Sequence, residues 1–523
     1  MKIKYINTLV LILPLVIFSC KDNTDKLLKN EVSKKESYYT EAYRPQYHFT
    51  PEEKWMNDPN GLVYQDGTYH LFYQYYPDST VWGPMHWGHA VSKDMMHWKH
   101  KPIALYPDDN GLIFSGSAVV DVDNTSGFGT ADTPPLVAIF TYHLMAGEKA
   151  GRKDFQTQGI AYSLDNGDSW TKYEGNPVIG NNGIKDFRDP KVFWNEQLQL
   201  WTMLLVAGDH MQVWNSPDLK KWNQVSEFGK DKGAHGGVWE CPDMFPLKVE
   251  GSAEEKWVLL ISINPGAPNG GSGTQYFVGD FDGETFTTNQ VASKWLDLGR
   301  DNYAGVTYNN TPNNERIFIG WMSNWDYARD TPTEKWRSAM TMPRKLSLQK
   351  NNDVYELINY PLAALDAIVK KGSKEVDFTV GPSQTETMEL QHNNQSEIRF
   401  NTSARAFQMR LKNELGDSVV ITLNGADGKI MFDRTASGVT DFAANFALGP
   451  QTMFVPNLPE DEVEFRILLD KSSIELFVNK GQYVMTNQIF PRDSFTILEV
   501  KNLSTDSLRL NSLSENKVKR IWD

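Results

Sequence analysis

Residues 55–61 read Trp-Met-Asn-Asp-Pro-Asn-Gly, and this stretch is the starting point for interpreting the rest of the chain. Asp58 stands between Asn57 and Pro59, and the proline cannot continue a helix. Asn, Asp, Pro and Gly are the usual turn residues, so the pattern predicts a bend that presents the Asp58 carboxylate. An ordinary turn before a strand explains these seven residues equally well, and the motifs further along the chain decide between the two readings.

Length and composition predict a large, mostly β protein with more than one domain. The chain has 523 residues, which exceeds the size at which single hydrophobic cores stop growing. Long runs with helical periodicity are scarce, whereas short apolar runs separated by turn residues are common. The formal net charge of -14 argues against a nucleic-acid-binding surface, because such surfaces need a basic stripe. A neutral or small polar substrate is favoured.

The N-terminus has the pattern of an export signal. An apolar run over residues 9–18 follows two lysines and is too short to span a bilayer. Residues 16–20 resemble a bacterial lipobox, so residues 1–20 are predicted to be a lipoprotein signal peptide with Cys20 as the acylated residue. The charged residues 21–42 are predicted to be a flexible tether. The lipid would be the only membrane association, at the cell surface or in the periplasm; an ordinary signal peptide is the alternative.

A recurring motif predicts the architecture of residues 43–355. Ser-x-Asp followed by tryptophan occurs from Ser92, Ser163 and Ser216, each time between two strand-like runs, as expected of a repeated hairpin corner. Units of roughly 60 residues would give five blades of a β-propeller, a fold that protects its sheet edges by radial repetition. Spacing alone leaves a β-sandwich or a β-helix open.

The pattern of apolar residues changes after this region. Residues 356–372 are predicted to be a linker, in which Leu362, Leu365 and Val369 form a short helical stripe. Strand-like runs with period two occupy residues 373–523 and predict a β-sandwich with a structural or accessory binding role.

Two further acidic motifs accompany Asp58. Asp189 lies in Phe-Arg-Asp-Pro (187–190) and Glu240 in Trp-Glu-Cys-Pro (239–242). Either motif alone is weak, because Arg beside Asp is usually an ordinary salt bridge and Trp beside Glu usually ends a strand. Together they give three acidic residues, each predicted to lie in a proline-containing loop, which is hard to explain as solvated surface.

With these motifs the chain resembles the glycoside hydrolase family 32 β-fructosidases, which include invertases, inulinases and levanases, and most of all secreted bacterial exo-levanases. The resemblance runs from about residue 43 to the C-terminus. It rests on motifs at residues 55–61, 72–75, 82–89, 114–117, 187–190, 237–242 and 320–325. It implies an all-β chain, with a five-bladed β-propeller that holds the active site in an axial funnel and a C-terminal β-sandwich.

The resemblance also implies three catalytic roles. Asp58 is expected to be the nucleophile, Glu240 the general acid/base, and Asp189 a transition-state stabiliser that holds fructose hydroxyls. Cleavage of a fructosidic bond passes through an oxocarbenium-like state, which needs one ionised carboxylate and one carboxylic acid. The apolar sequence neighbours of Glu240 favour its protonated form, and the amides expected near Asp58 favour its ionised form.

Eight residues at matched positions are expected to bind substrate: Asn57, Gln74, Trp82, Phe114, Ser115, Ser117, Arg188 and Trp321. The polar members would hydrogen-bond the terminal fructose and the aromatic members would line the funnel, with core packing as the alternative for the aromatics. Arg188 would equally serve to keep Asp189 ionised. Cys241 has no histidine paired with it by motif, so thiol chemistry is not expected. The histidines lack metal-ligand spacing, and neither a metal nor a cofactor is predicted.

The sequence therefore predicts a retaining exo-β-fructosidase acting on levan, inulin or sucrose. A surface endo-levanase is the alternative within the same class. A non-catalytic glycan-binding lipoprotein is a third reading, but such a protein would be expected to lack Asp58 or Glu240.

Overall fold

The computed structural model describes residues 39–130, 132–370 and 375–522. Within these ranges nearly all regular structure is β-sheet, with 36 strands and two short α-helices. The predicted signal peptide with Cys20, and most of the predicted tether, lie outside the described residues. Among the helices that are described, none is long and apolar enough to cross a membrane.

Five antiparallel sheets follow one another along the first part of the chain. The first contains β1 (Lys54–Gln65), β2 (Thr68–Tyr76), β3 (His86–Ser92) and β4 (Trp98–Leu105). The second contains β5 (Leu112–Val120), β6 (Leu136–His143), then helix α1 (Met145–Lys149), β7 (Gln156–Ser163) and β8 (Thr171–Lys172). The third contains β9 (Phe187–Asn195), β10 (Leu200–Ala207), β11 (Met211–Ser216) and β12 (Asn223–Phe228).

The remaining two sheets complete the set. The fourth contains β13 (Val238–Lys248), β14 (Glu255–Asn264), β15 (Gly273–Phe281), β16 (Phe286–Thr287) and β17 (Lys294–Trp295). The fifth segment contains β18 (Tyr303–Thr307), a 3-10 turn (Pro312–Asn314), β19 (Ile317–Met322), β20 (Trp336–Arg337), β21 (Ala339–Met340), β22 (Arg344–Asn351) and β23 (Val354–Pro361). Of these strands, β20 pairs in parallel with β1, which fastens the last sheet to the first.

The sheets are the five blades of a β-propeller. The first strand of each blade contacts the first strand of the next, in the order β1, β5, β9, β13, β18 and back to β1, so these five strands form a closed inner ring. The predicted hairpin corners are confirmed, since each joins the third and fourth strands of one of the first three blades. In each corner the serine hydroxyl donates to the aspartate two residues later, at 3.1 Å for Ser92, 2.8 Å for Ser163 and 3.3 Å for Ser216.

The chain leaves the propeller through a short helical segment. Because β23 ends at Pro361, the last blade extends past residue 355, where the sequence placed the start of the linker. Helix α2 (Leu365–Ile368) occupies the predicted helical stripe. The predicted end of that segment at Gly372 lies outside the described residues.

The C-terminal part is a sandwich of two antiparallel sheets, as predicted. Its strands are β24 (Val369–Lys370), β25 (Val376–Val380), β26 (Thr385–Glu389), β27 (Ser396–Thr402), β28 (Ala406–Lys412), β29 (Ser418–Asn424), a 3-10 turn (Gly425–Asp427), β30 (Lys429–Ala436), β31 (Gln451–Phe454), β32 (Val463–Asp470), β33 (Ser473–Val478), β34 (Tyr483–Gln488), β35 (Ile497–Asn502) and β36 (Leu508–Val518). One sheet has the order β24-β36-β27-β32-β33-β34, with β25 also on β36, and the other has β26-β35-β28-β29-β30-β31. Alternate residues of β28 to β30 face a shared apolar core.

Buried charges join the sandwich to the N-terminal part of the chain. His48, which precedes β1, lies 2.8 Å from Asp470 and 3.2 Å from Glu475, and all three side chains are buried. Arg344 of the propeller contacts the same Glu475 at 2.9 Å and Asp297 at 3.0 Å. Buried charges are tolerated only when they are paired, so this network fixes how the two domains meet.

Candidate active site

Each strand of the inner ring carries a β-bulge near its beginning. Two consecutive residues of the inner strand face one residue of its neighbour: 57–58 face Gln74, 114–115 face Thr141, 189–190 face Leu205, 241–242 face Ile261 and 304–305 face Gly320. Asp189 and Cys241 have φ angles of 64° and 45°, in the left-handed region. Bulges redirect side chains and are common beside active sites.

The prediction that the three acidic residues lie in loops is therefore wrong. Asp58, Asp189 and Glu240 all lie within strands, on β1, β9 and β13 respectively. The prolines that indicated loops are accommodated at the bulges, where the regular ladder of hydrogen bonds is interrupted. Turn-type residues here mark irregular positions in strands.

Residues at the bulges of the first three blades line a cavity of about 400 Å³ that receives side chains from all five blades. Nine of the residues predicted from the sequence line it: Asn57, Asp58, Gln74, Trp82, Phe114, Ser115, Arg188, Asp189 and Glu240. A cavity of this size is typical of small-molecule sites. The three predicted catalytic carboxylates thus come together from three different blades.

Asp58 is held by side-chain donors from two blades. Asn57 Nδ2 donates to its Oδ1 at 2.9 Å, and Ser115 Oγ donates to its Oδ2 at 2.7 Å. Trp55 Nε1 in turn donates to Asn57 Oδ1 at 2.7 Å, which fixes the orientation of that amide. Burial and the nearby charge of Glu240 raise the pKa of Asp58, and the two donors oppose that rise.

Glu240 is held by a cation and a hydroxyl. Arg188 Nη2 donates to Oε1 at 2.7 Å, and the Tyr303 hydroxyl donates to Oε2. The apolar surroundings expected from the sequence neighbours of Glu240 are not found. Trp239 packs on the other side of the strand, in the core between the third and fourth blades, because successive side chains of a strand point in opposite directions.

Arg188 connects the acidic residues of this part of the cavity. Its Nη1 donates to Asp186 Oδ1 at 2.7 Å, its Nη2 reaches Glu240, and its Nε lies 3.8 Å from Asp189 Oδ2. These carboxylates raise the pKa of Arg188 although burial opposes the rise, so the guanidinium stays charged.

Asp189 is the most deeply buried of the three carboxylates. Burial raises its pKa to about 7, the charges of Glu240 and Asp58 add to the rise, and Arg188 opposes it. The Cys241 backbone N–H donates to Asp189 Oδ2 at 3.1 Å, an approach made possible by the bulge at Cys241. The Cys241 thiol lies 3.7 Å from Asp58 Oδ2 and 3.8 Å from Asp189 Oδ2. Burial and these carboxylates raise its pKa well above the usual range, so the thiol is neutral and a poor nucleophile.

Two of the predicted substrate-binding residues do not line the cavity. Ser117 is buried, and its hydroxyl accepts a hydrogen bond of 2.9 Å from the backbone N–H of Val192, which ties β5 to β9. Trp321 is fully buried under Trp325, with ring centroids 4.9 Å apart, and Trp325 lines the cavity in its place. Ser117 lies two residues further along β5 than Ser115, beyond the residues that line the cavity, and Trp321 is covered by Trp325.

The cavity also contains residues that the sequence did not single out: His143, Glu148, Phe155, Gln156, Asp186, Asn264, Trp325 and Arg329. His143, Glu148, Phe155 and Gln156 belong to or flank the segment around helix α1, and the His143 ring stacks on Phe114 at a centroid distance of 4.2 Å. Trp325 is the last residue of the motif at residues 320–325, so this motif could have identified it as a site residue. The α1 residues lie outside every motif.

No group of three or more His, Cys, Asp or Glu side chains within residues 39–130, 132–370 and 375–522 is arranged to hold a metal ion. The cavity instead combines five carboxylates, two guanidinium groups, four side-chain amides, one imidazole and four aromatic rings. Such a site can supply a nucleophile, a general acid and hydrogen bonds to a polyhydroxylated ligand.

Comparison with known proteins places most of the described chain in one family. Residues 48–361 match the model of the glycosyl hydrolases family 32 N-terminal domain, and residues 364–515 match that of the family 32 C-terminal domain. The chain is 46% identical to a levanase of Bacillus subtilis over 93% of this chain and 72% of that one. It is 40% identical to an extracellular exo-inulinase of Aspergillus niger over 87% of this chain and 90% of that one. The crystal structure of an exo-inulinase from Aspergillus awamori superposes with a TM-score of 0.85 at 36% identity, covering 92% of this chain and all of that one.

Proposed function

The chain belongs to glycosyl hydrolase family 32, and we propose that it is a retaining exo-β-fructosidase that removes terminal non-reducing β-D-fructofuranosyl residues from levan, inulin and sucrose. The observation that carries the proposal is the convergence of Asp58, Asp189 and Glu240 on one cavity. The levanase and exo-inulinase relatives support fructans as the substrate class.

Asp58 is the proposed nucleophile. Its carboxylate attacks the anomeric carbon of the terminal fructose, and the bond from that carbon to the leaving oxygen breaks as a covalent fructosyl-enzyme ester forms. The donors from Asn57 and Ser115 hold both carboxylate oxygens in place, so little reorientation is needed during attack.

Glu240 is the proposed general acid/base. It gives its proton to the leaving oxygen in the first step and takes a proton from the attacking water in the second, which regenerates free Asp58. Arg188 and Tyr303 donate to the Glu240 carboxylate and therefore stabilise the ionised form that remains after proton donation.

Asp189 is the proposed transition-state stabiliser. Three carboxylates in one cavity repel each other, which contributes to the raised pKa of both Asp58 and Asp189. One proton shared within the cluster relieves this repulsion, and it is available for transfer to the leaving group. In the transition states for forming and for hydrolysing the ester, positive charge develops on the fructose ring, and Asp189 can accept hydrogen bonds from the fructose hydroxyls.

The walls of the cavity suit a sugar ring. Gln74 is buried, and its Nε2 donates to no acceptor in the described chain, so this amide is free to donate to a substrate hydroxyl. Trp82 and Phe114 meet edge to face at a centroid distance of 6.1 Å, and Trp325 also lines the cavity. Flat apolar rings of this kind pack against the C–H faces of a sugar.

The decisive experiment is a product time course on levan, inulin and sucrose. Fructose alone from the earliest samples is expected, and an early ladder of oligosaccharides would contradict exo action. NMR of the first product should show the β-anomer, as retention requires. Asp58→Ala and Glu240→Ala should each lower turnover by several orders of magnitude in a folded protein. Glu284→Ala, an exposed acidic residue in a distant turn, is the matched control. Wild-type rates in either active-site variant would refute the assignment.

We propose in addition that the chain is exported and anchored by acylation of Cys20. The support is the signal-like sequence of residues 1–20, followed by a charged segment before the folded domain. The full-length protein should incorporate labelled fatty acid and partition into the detergent phase, and Cys20→Ser should do neither. Equal partitioning of both forms would contradict lipidation.

A further inference from the structure

A second cavity lies at the opposite end of the inner ring. Its volume of about 430 Å³ is similar to that of the catalytic cavity. Its walls include the end of β5, the end of β9 and the segment before β19, with Val120, Trp194, Asn310 and Arg316 among the lining residues.

The two cavities are separated by the length of the inner strands. Asp189 near the start of β9 belongs to the catalytic cavity, and Trp194 near its end belongs to the second one. Five residues of extended chain correspond to about 16 Å. Between them, Lys191 lies 3.3 Å from Asp243 and donates to the carbonyl of Thr307 at 2.6 Å, so packed side chains close the channel between the cavities.

Arg316 gives the second cavity an unusual donor. Its side chain is half-buried, and its Nε is shielded from solvent without a hydrogen-bond partner in the described chain. The guanidinium lies 5.5 Å from the centroid of the Phe245 ring, and no carboxylate of the described residues forms an ion pair with it. Asp243 and Glu255 act on it from a distance, and Asp243 is already paired with Lys191. A shielded donor without a partner is costly, and a ligand that accepts hydrogen bonds would remove that cost.

Trp194 provides an apolar surface beside this donor. Its ring is half-buried and meets Trp201 edge to face at a centroid distance of 5.0 Å. Trp201 is itself fixed, because its Nε1 donates to Thr125 Oγ1 at 2.8 Å. The Trp194 ring therefore has a rigid support and lines the cavity.

The charge of the cavity favours a neutral ligand. Asp123 and Glu196 are exposed carboxylates that line it, and they would repel an anion attracted to Arg316. Amide and hydroxyl groups of Gln199, Asn310 and Thr311 add further hydrogen-bonding positions. A flat aromatic ring, a guanidinium without an ion-pair partner and several neutral polar groups together suit a polyhydroxylated sugar.

We propose that this second cavity binds a fructofuranosyl segment of the polymer, away from the segment that is being hydrolysed. The inference rests on the proposed function for its ligand class. A second contact with the same chain raises the local concentration of polymer ends at the catalytic cavity and does not change the chemical step. It therefore acts on polymers and not on sucrose, which is too short to be held at one cavity while another part of it is cleaved.

The kinetic test uses Trp194→Ala and Arg316→Gln in the otherwise intact enzyme. Each variant should raise KM for levan or inulin roughly three- to tenfold, the range expected from losing one aromatic contact or one hydrogen-bond donor. Values of kcat, and KM for sucrose, should not change. Phe454→Ala removes an exposed aromatic residue from the sandwich and serves as the matched control. Unchanged KM for both polymers in both variants would overturn the inference.

The binding test needs no turnover. Glu240→Ala protein is run in native gels containing levan or inulin, with excess sucrose to occupy the catalytic cavity, and compared with the Glu240→Ala/Trp194→Ala double variant. If the polymer retards Glu240→Ala but not the double variant, polymer binding at the second cavity is supported. Equal mobility of the two proteins refutes it. Calorimetric binding of inorganic phosphate, lost in Arg316→Gln and unaccompanied by polymer binding, would also overturn it in favour of an anion site. Failure of the proposed function is distinguishable, because the wild-type enzyme would then release no fructose from sucrose.

Discussion

Replacing His48 by glutamine tests the charged contact between the N-terminal segment and the sandwich. Burial alone would lower the pKa of His48, but hydrogen bonds and charges from Asp470 and Glu475 outweigh it and raise the pKa from 6.5 to about 9. This difference corresponds to about 3 kcal/mol of stability contributed by the protonated imidazole. Glutamine retains hydrogen-bonding capacity but cannot carry the charge.

The sign of the pH dependence follows from the direction of the shift. Because the pKa is higher in the folded protein, the contribution is fully present below pH 6.5 and is lost as the pH rises through 9. Wild type should therefore exceed His48→Gln in free energy of unfolding by about 3 kcal/mol at pH 6, with a much smaller difference at pH 9.5.

Urea unfolding followed by fluorescence at pH 6, 7.5 and 9.5 measures this difference. His97→Gln is the matched control, since His97 also pairs with an aspartate at 2.8 Å but the pair is exposed. Its loss should cost under about 1 kcal/mol at each pH. A difference for His48→Gln that stays constant with pH, or that grows towards pH 9.5, would refute the assignment of a buried protonated histidine.

Four further substitutions separate local roles in the propeller. Ser115→Ala removes a donor to Asp58, the proposed nucleophile, and should lower kcat by about ten- to a hundredfold with little loss of stability. Ser117→Ala should instead cost about 1–3 kcal/mol of stability and leave KM unchanged. The reverse pattern in enzyme assays and thermal unfolding would contradict both assignments. Gly61→Ala should lower the free energy of unfolding in urea by about 2–4 kcal/mol, because the Gly61 φ is +53° and the new Cβ would lie 2.7 Å from the Phe72 ring. An unchanged free energy of unfolding would contradict the close packing. Tyr303→Phe removes one donor from Glu240, the proposed acid/base, and should change the pH–rate profile while KM changes little. An unchanged profile would show that this contact is not used.

Much of the architecture was accessible from the sequence because it depends on local patterns. The Ser-x-Asp corners predicted where hairpins turn, and the structure places Asp94 and its counterparts at those turns. The period-two runs after residue 373 predicted a sandwich for the same reason, since alternation directly reflects which face of a strand is buried. Helix α1 was missed because it is only five residues long and has no side-chain cap.

The surroundings of each site residue were less accessible because they depend on contacts between blades. Ser117 and Trp321 belong to motifs that contribute to the site, yet their side chains do not line the cavity and instead hold neighbouring elements together. Sequence neighbours also misled the expectation for Glu240, whose carboxylate contacts Arg188 from one blade and Tyr303 from another. The identity of a motif does not specify which of its members faces the ligand.

The bulges explain why the three acidic residues reach one cavity although they were predicted to lie in loops. In a regular strand, two consecutive side chains point to opposite faces, so one strand could supply Asn57 or Asp58 to the cavity but not both. Here both line it, as do Phe114 with Ser115 and Arg188 with Asp189. The extra residue in each inner strand makes this possible. Proline or glycine next to each pair tolerates the interrupted ladder, so the residues that resembled loop signals are what allow one β-strand to deliver two neighbouring side chains to the same cavity.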